Sequence, residues 1–354
     1  MPGEPVATAG PGAWADDSQL TFRVADPNHA LAGVRLLQDL PLPATELEFH
    51  RDGENWDLAL DRPPLNRLEY LLELRYPDGV AKVITDPANS HQAPGAFGPK
   101  SVVEFPGYLQ PSWLSLPAGR GSVRTLEIAA LDEVLPVRLW APLGTRDDAE
   151  LPLLVVHDGP EYDALASLTR FLSAGIRGRW LPRLRAALLG PGSRNAWYSA
   201  NPRYARALRT AVLPALASRV AVSQRIGMGA SLGALAMLHA YCLYPGCFDA
   251  LFLQSGSFFT PDLDGQERRF PYFRRISGFT AHLYAGGLPA RPIPTILTCG
   301  VIEENAANNR LLARTLSAHG YQAALHDLPD MHNYTAWRDS FDPYLTGLLQ
   351  RAGA

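Results

Sequence analysis

The chain is poor in cysteine. Cys242, Cys247 and Cys299 are the only three in 354 residues, an odd number, and no paired histidines sit at zinc-ligand spacing beside the first two. Neither a disulfide framework nor a zinc module follows, and the thiols read as buried and reduced. Lysine is scarcer still. Lys82 and Lys100 are the only two, and arginine carries the rest of the positive charge, a bias of coding rather than chemistry. The net charge is −3. No basic surplus is available to neutralise phosphates, so nucleic acid is excluded as a default partner. No apolar run approaches the roughly 18–20 residues of a membrane span. The opening MPGEPVATAGPGAWADDS lacks the charged-then-apolar layout of a secretory signal. The expectation is a cytoplasmic protein with no membrane partner.

What is present is an ordinary globular composition, 47% hydrophobic and 19% charged, and at about 150 residues per domain a length for two domains. Residues 1–18, rich in Gly, Ala and Pro, read as a flexible tail. Residues 19–107 hold short strands broken by turns. Glu46–Arg51 and Trp56–Leu60 flank an Asp52-Gly53 turn, and Leu68–Arg75 and Val80–Ile84 flank Pro77-Asp78-Gly79. That spacing predicts a small β-sandwich. Residues 108–120 read as a Pro- and Gly-rich linker.

From 121 to 354 the texture changes to alternating strands and helices. Val123–Ala129 and Pro136–Ala141 predict an antiparallel pair. Leu151–Val156, Leu184–Leu189, Arg225–Met228, Ala250–Gln254, Thr295–Cys299 and Gln322–Leu328 predict strands. The interleaved segments Tyr204–Arg219, with a break at Pro214, Leu232–Tyr244, Ala306–His319 and Asn333–Leu349 predict helices, while Phe258–Arg291 reads as irregular. The fold class is therefore α/β, a doubly wound and mostly parallel sheet.

Gly229-Ala230-Ser231-Leu232-Gly233 fits G-x-S-x-G. A strand precedes it and an apolar helix follows at once, the setting in which a tight turn lifts a serine hydroxyl above a sheet. A serine is a weak nucleophile at neutral pH and needs a base, oriented in turn by an acid. In that setting the acid precedes the histidine along the chain. Among the histidines downstream of Ser231 are His239, on the helix after the motif, His282, in the irregular segment, His326, inside a strand, and His332, between the last strand and last helix. His332 is the candidate base. Glu303, after the penultimate strand, is the candidate acid and Glu304 its competitor. Asp327 and Asp330 read as loop or cap residues.

These pieces resemble the enterochelin esterase family of α/β-hydrolases. Arg51-Asp52-Gly53, Leu68-Glu69-Tyr70 and Asp86-Pro87-Ala88-Asn89 resemble its N-terminal immunoglobulin-like sandwich. Val156-His157-Asp158-Gly159 is similar to its strand-end His-Asp-Gly, and Arg194 with Tyr198 and Asn201 to a further segment, in which Trp197 replaces the usual Glu. Gly300–Glu303 resembles its Gly-x-x-Glu, and Met331-His332-Asn333-Tyr334 with Trp337-Arg338 its Gly-His-Asp…Trp-Arg. The resemblance implies an α/β-hydrolase domain behind an immunoglobulin-like β-sandwich. It also implies a Ser231, Glu303, His332 triad and a small ester substrate of the trilactone siderophore type, which would bring its own iron. No cofactor or metal is expected in the protein. A general or feruloyl-type carboxylesterase or acyltransferase, and a non-catalytic binding protein, are the alternatives.

The first oxyanion donor is expected from the Leu232 N–H. In similar esterases the second comes from the residue after Asp-Gly, which here is Pro160 and has no N–H. Gly159 is the candidate second donor, with Glu161 as its alternative and a weak oxyanion hole, as in a degenerate hydrolase, as the third reading. Trp197, Tyr198 and Trp337 read as pocket walls and, with Arg194, make the candidate substrate-binding set. Arg268, Arg269, Phe270, Tyr272, Phe273, Arg274 and Arg275, in the 257–291 insert, read as a solvated loop or a surface for a flat anion.

Overall fold

The computed structural model describes residues 10–352, in two compact units. The first runs to Leu109 and takes in Pro329–Met331; the second comprises Gln110–Leu328 and the chain from His332 onward.

The first unit contains β1 (Gly12–Ala15), β2 (Gln19–Ala25), β3 (Gly33–Leu37), β4 (His50–Asp52), β5 (Asn55–Asp61), β6 (Arg67–Arg75), β7 (Ala81–Ile84), β8 (Gln92–Ala93) and β9 (Lys100–Glu104). One antiparallel sheet runs β1-β2-β5-β4 and the other β3-β6-β9-β8, with β7 added to β6. Alternation explains the packing: along β2, Leu20, Phe22 and Val24 point inward while their neighbours stay wetter. Phe22 meets Tyr70 of β6 edge-on at 4.9 Å, so the two sheets share one core. Gly53, at φ +60°, turns the chain between β4 and β5.

Two expectations are corrected in this unit. The expected tail contains β1, because the Asp16 carboxylate accepts from the Ser18 and Gln19 N–H groups and folds Gly12–Ala15 back onto β2; residues 1–9 lie outside the described residues. The expected strand Glu46–Arg51 is instead a 3₁₀ turn, Ala44–Leu47, followed by β4.

The second unit is built on β10 (Gly121–Ala130), β11 (Glu133–Pro142), β12 (Leu151–Val156), β13 (Arg185–Leu189), β14 (Val222–Ala230), β15 (Ala250–Gln254), β16 (Thr295–Gly300) and β17 (Ala323–Leu328). The sheet order is β10-β11-β13-β12-β14-β15-β16-β17. β11 is antiparallel to both its neighbours, and every pair from β13 to β17 is parallel. Successive residues of one strand enter different cores. Leu153 and Val155 pack with the helices between residues 194 and 318, while Leu154 and Val156 pack with helices Gly159–Ala166 and Leu168–Gly178 and the C-terminal helices. Both faces of the sheet are therefore covered, which is why its strands read as unbroken apolar runs.

Helix Phe273–Tyr284 lies inside the segment expected to be irregular and buries Phe273, Ile276, Thr280 and Leu283 at helical spacing. The expected linker is anchored by Trp113, 2% exposed and edge-on to Phe171. The expected closing helix breaks into Tyr334–Asp339, Phe341–Leu345 and Thr346–Ala352, because Pro343 pushes Asp342 into extended backbone. No helix among the described residues is long and apolar enough to cross a membrane.

Candidate active site

β14 stops at Ala230 and helix Leu232–Leu243 begins at once, leaving Ser231 at φ 55°, ψ −126°. Such backbone costs a non-glycine residue about 1–3 kcal/mol and persists only where its surroundings hold it. Here they do. A Cβ on Gly229 would lie 2.6 Å from the Gly233 carbonyl carbon, so strand and helix approach too closely for a side chain. The Ser231 N–H donates to Gln254 O at 2.9 Å and its carbonyl accepts from the Ser257 N–H at 3.2 Å. Gln254 is fixed in turn by donating to Ser340 Oγ at 2.8 Å and accepting from Tyr162 Oη at 2.8 Å.

Glu303 follows β16 with its side chain 1% exposed, and its Oε2 lies 3.4 Å from His332 Nδ1. The Cys299 thiol donates to Glu303 Oε1. Burial, and then the Glu303 charge, push the Cys299 pKa far up, so the sulfur keeps its proton. Glu304 is exposed and Asp327 pairs with Arg310 at 3.0 Å; Glu303 alone of these carboxylates meets a histidine. The His332 ring is 27% exposed and edge-on to Trp337 at 5.1 Å. Trp337 is itself held, its Nε1 donating to Ser255 Oγ at 3.0 Å. Asn333 caps helix Tyr334–Asp339, its side chain accepting from the Ala336 N–H at 2.8 Å. The other four histidines after Ser231 are elsewhere: His239 is buried against Phe279, His326 stacks on Tyr344, His282 is exposed, and His319, also exposed, bonds through Nδ1 to Thr315 O at 2.8 Å.

The turn after β12 reaches the same motif. His157, fully buried, bonds through Nδ1 to Gly233 O at 3.0 Å and through Nε2 to Tyr204 Oη at 2.8 Å. Desolvation pushes its pKa down to about 4. The ring is therefore neutral at pH 7, donating from Nδ1 to the carbonyl and accepting at Nε2 from the tyrosine. Asp158 adopts left-handed backbone and is forked by Arg194 at 2.8–3.0 Å. Gly159 and Pro160 then open helix Gly159–Ala166. A Cβ on Gly159 would fall 2.3 Å from Leu188 Cα, so only glycine fits. The Leu232 and Gly159 amides are the first of their helices and have no intrahelical acceptor.

The candidate pocket walls are corrected. Trp197, 5% exposed, stacks on Tyr204, and Tyr198, fully buried, packs on His157 at 4.3 Å; both are core residues beneath the site. Trp337, 6% exposed, is a buttress for His332 rather than a wall. Arg194 retains 35% side-chain exposure. In the insert, Arg275 donates to Ala196 O and Ser199 O and lies over Tyr272 at 4.6 Å. That tie is structural, not a solvated arginine.

Sequence reasoning missed Ser257, whose Oγ is 3.1 Å from Ser231 Oγ and which is 2% exposed. It also missed Asn309, which donates to Gly256 O at 2.8 Å and accepts from the Gly256 N–H at 3.1 Å. The available signals were Ser255-Gly256-Ser257 directly after an apolar strand, and Asn305, Asn308 and Asn309 opening a helix. Among the described residues no cluster of three His, Cys, Asp or Glu side chains is arranged to hold a metal ion.

No family model matches the chain, and no curated protein matches it. Solved structures do. The enterobactin esterase from Shigella flexneri, crystallised in the presence of enterobactin, superposes with a TM-score of 0.75 at 19% identity, over 97% of this chain and 96% of that one. A ferric enterobactin esterase from Salmonella typhimurium gives 0.74 at 19%, over 94% of each chain. A ferulic acid esterase gives 0.53 at 14%, over 66% of this chain and 98% of that one. The chain has the α/β fold of the enterochelin esterases.

Proposed function

We propose that this protein is a serine esterase of the α/β-hydrolase class, with an immunoglobulin-like sandwich as its first unit. The observation that carries this is the conjunction of a strained, partly exposed Ser231 with a His332 whose Nδ1 faces the buried Glu303 carboxylate at 3.4 Å. In the proposed reaction Ser231 Oγ attacks an ester carbonyl carbon while His332 Nε2 takes the serine proton. The tetrahedral oxyanion is received by the Leu232 and Gly159 N–H groups. The ester C–O bond breaks as His332 returns the proton to the leaving alcohol. Water then attacks the acyl-serine by the same route, releasing a carboxylic acid and regenerating Ser231. Glu303 holds the imidazole tautomer and stabilises the imidazolium.

The substrate reading is a trilactone siderophore of the enterobactin type. Its support is coverage: the enterobactin esterases align with both units, over 94–97% of this chain, whereas the ferulic acid esterase aligns with 66%. Iron would enter only as substrate cargo. Pro160 favours a second reading, a non-catalytic binder with a weakened oxyanion hole. A fluorophosphonate probe separates the two. Labelling of the wild type but not of Ser231→Ala supports the esterase, and an unlabelled wild type overturns it. Side-by-side hydrolysis of enterobactin, methyl ferulate and p-nitrophenyl butyrate then tests the substrate; faster kcat/KM on methyl ferulate than on enterobactin would reject the siderophore reading.

A further inference from the structure

A cavity of about 610 Å³ opens in the second unit between the 260–263 loop, helix Phe273–Tyr284 and helix Ala306–Ala318. None of its lining residues belongs to the site around Ser231, Glu303 and His332. Its walls are mainly apolar, with Pro261, Leu263, Ala281 and Leu311 among them, and Leu263 is 42% exposed. That size and character suit a small organic molecule.

Three polar features single out the ligand. Tyr284 lines the cavity, and its hydroxyl is buried without any hydrogen-bond partner. An unpaired buried hydroxyl is costly, and buried tyrosines normally find a partner. Arg310 and Arg314 line the same cavity from successive turns of one helix. Like charges at that spacing repel. Arg310 is relieved by Asp327 at 3.0 Å, but Arg314 has no ion pair or hydrogen bond among the described residues. Asp262 is the single carboxylate on the lining and is exposed, so the balance there is positive. The loop wall is preformed: Asp264 accepts from the Thr260 N–H at 2.7 Å and from Asn308 Nδ2 at 2.8 Å, fixing the loop against helix Ala306–Ala318.

We propose that this cavity is a second binding site, separate from the Ser231 site, for a small apolar monocarboxylate of the aryl-carboxylate class. The ring lies between Leu263 and Leu311, the carboxylate takes up the unspent charge of Arg314, and the Tyr284 hydroxyl donates to it. A neutral or cationic molecule of the same shape offers no negative charge to Arg314, which is exposed and without an ion pair among the described residues.

The test is calorimetric titration of the full chain with 2-naphthoate, with 2-naphthalenemethanol as the neutral isostere. Saturable naphthoate binding about tenfold tighter than that of the alcohol is expected, the scale of one charge-assisted hydrogen bond. Arg314→Ala should weaken naphthoate binding about tenfold and leave the alcohol unchanged. Tyr284→Phe should weaken it severalfold without lowering the thermal midpoint of the free protein, since the hydroxyl is unpaired there. Ser231→Ala should bind naphthoate as the wild type does. Equal binding of acid and alcohol, naphthoate binding indifferent to both Arg314→Ala and Tyr284→Phe, or no saturable binding at millimolar concentrations would each overturn the proposal. None of these readouts depends on esterase activity.

Discussion

Two histidine turns lie beyond the strands of the large sheet, and they are physical opposites. His157 closes β12 with both ring nitrogens bonded, no exposure and a pKa pushed down to about 4. His332 follows β17 with 27% exposure and a buried carboxylate on Nδ1. The residue type is the same and the surroundings differ. A histidine sealed from water, its nitrogens spent on a carbonyl and a tyrosine, can only brace the turn beside Gly233. One held by a carboxylate at Nδ1 and partly exposed to solvent is equipped to move a proton. The contrast separates a scaffold residue from a proposed base without reference to motif.

The largest expected effect follows from that separation. His332→Ala and Ser231→Ala should each lower kcat/KM on an activated ester by about 10⁴-fold or more, with the urea midpoint unchanged. His157→Ala should do the reverse. It strands the Tyr204 hydroxyl and the Gly233 carbonyl and leaves a cavity, costing about 3 kcal/mol of stability, while the folded fraction keeps most of its activity. Similar losses of stability in both histidine variants would erase the comparison. Glu303→Gln should cost about a hundredfold less activity than Ser231→Ala, because the imidazole retains part of its orientation. Glu304→Gln should be near neutral, since Glu304 is exposed; a larger loss there than at Glu303 would reassign the acid.

The same burial predicts an acid limb of stability. His157 and His239 both have pKa values pushed down to about 4 by desolvation, against about 6.5 in an unfolded chain. Between those values the unfolded state binds protons that the native state refuses, so stability falls as pH drops from about 6.5 towards 4 and is unaffected above. Each residue should contribute on the order of 3 kcal/mol to that fall. In urea melts from pH 7.5 to 4, a variant carrying His239→Leu should show a shallower decline. A decline identical to the wild type would show that His239 is not buried neutral.

Much of the second unit was legible because a sheet buried on both faces gives strands of unbroken apolar residues, and β12, β15 and β16 fall where such runs predict them. Ser231 was legible from two glycines and the strand–helix junction around it. Helix Phe273–Tyr284 was not. Arg274, Arg275 and Gly278 interrupt its pattern, and its inward stripe includes Thr280, whose hydroxyl is satisfied by Phe259 O at 2.7 Å. The choice between Glu303 and Glu304 turns on burial, which adjacent identical residues cannot reveal. Trp197 and Tyr198 sit near the site in sequence but are consumed by stacking with Tyr204 and His157. Cys299 gave no signal as a donor to Glu303. Cys299→Ala should lower kcat about fivefold, the scale of one weak thiol donor to a carboxylate, and shift the pH–rate profile, with Cys299→Ser restoring part of both. An unchanged profile in the alanine variant would leave the thiol a packing residue only.

The smallest expected effect is at Pro160, and it bears on the His157 turn. If that turn supplies its oxyanion donor from Gly159, proline at the next position costs nothing. Its missing N–H falls in the first turn of helix Gly159–Ala166, where amides lack intrahelical acceptors, and its fixed φ suits a helix start. The ring also restricts Gly159, which is already confined by Leu188. Pro160→Leu should therefore change kcat by less than about threefold, in either direction, with a loss of stability of about 0.5–1 kcal/mol from the freed backbone of the unfolded chain. If Gly159 does not donate, the new N–H at position 160 should raise kcat by about 10²–10³, the worth of one oxyanion donor. A pre-steady-state burst measured on p-nitrophenyl butyrate distinguishes these outcomes, because an added donor accelerates acylation itself. An increase of that size would mark the natural turn as a brace lacking its second catalytic amide and the native protein as a weakened hydrolase.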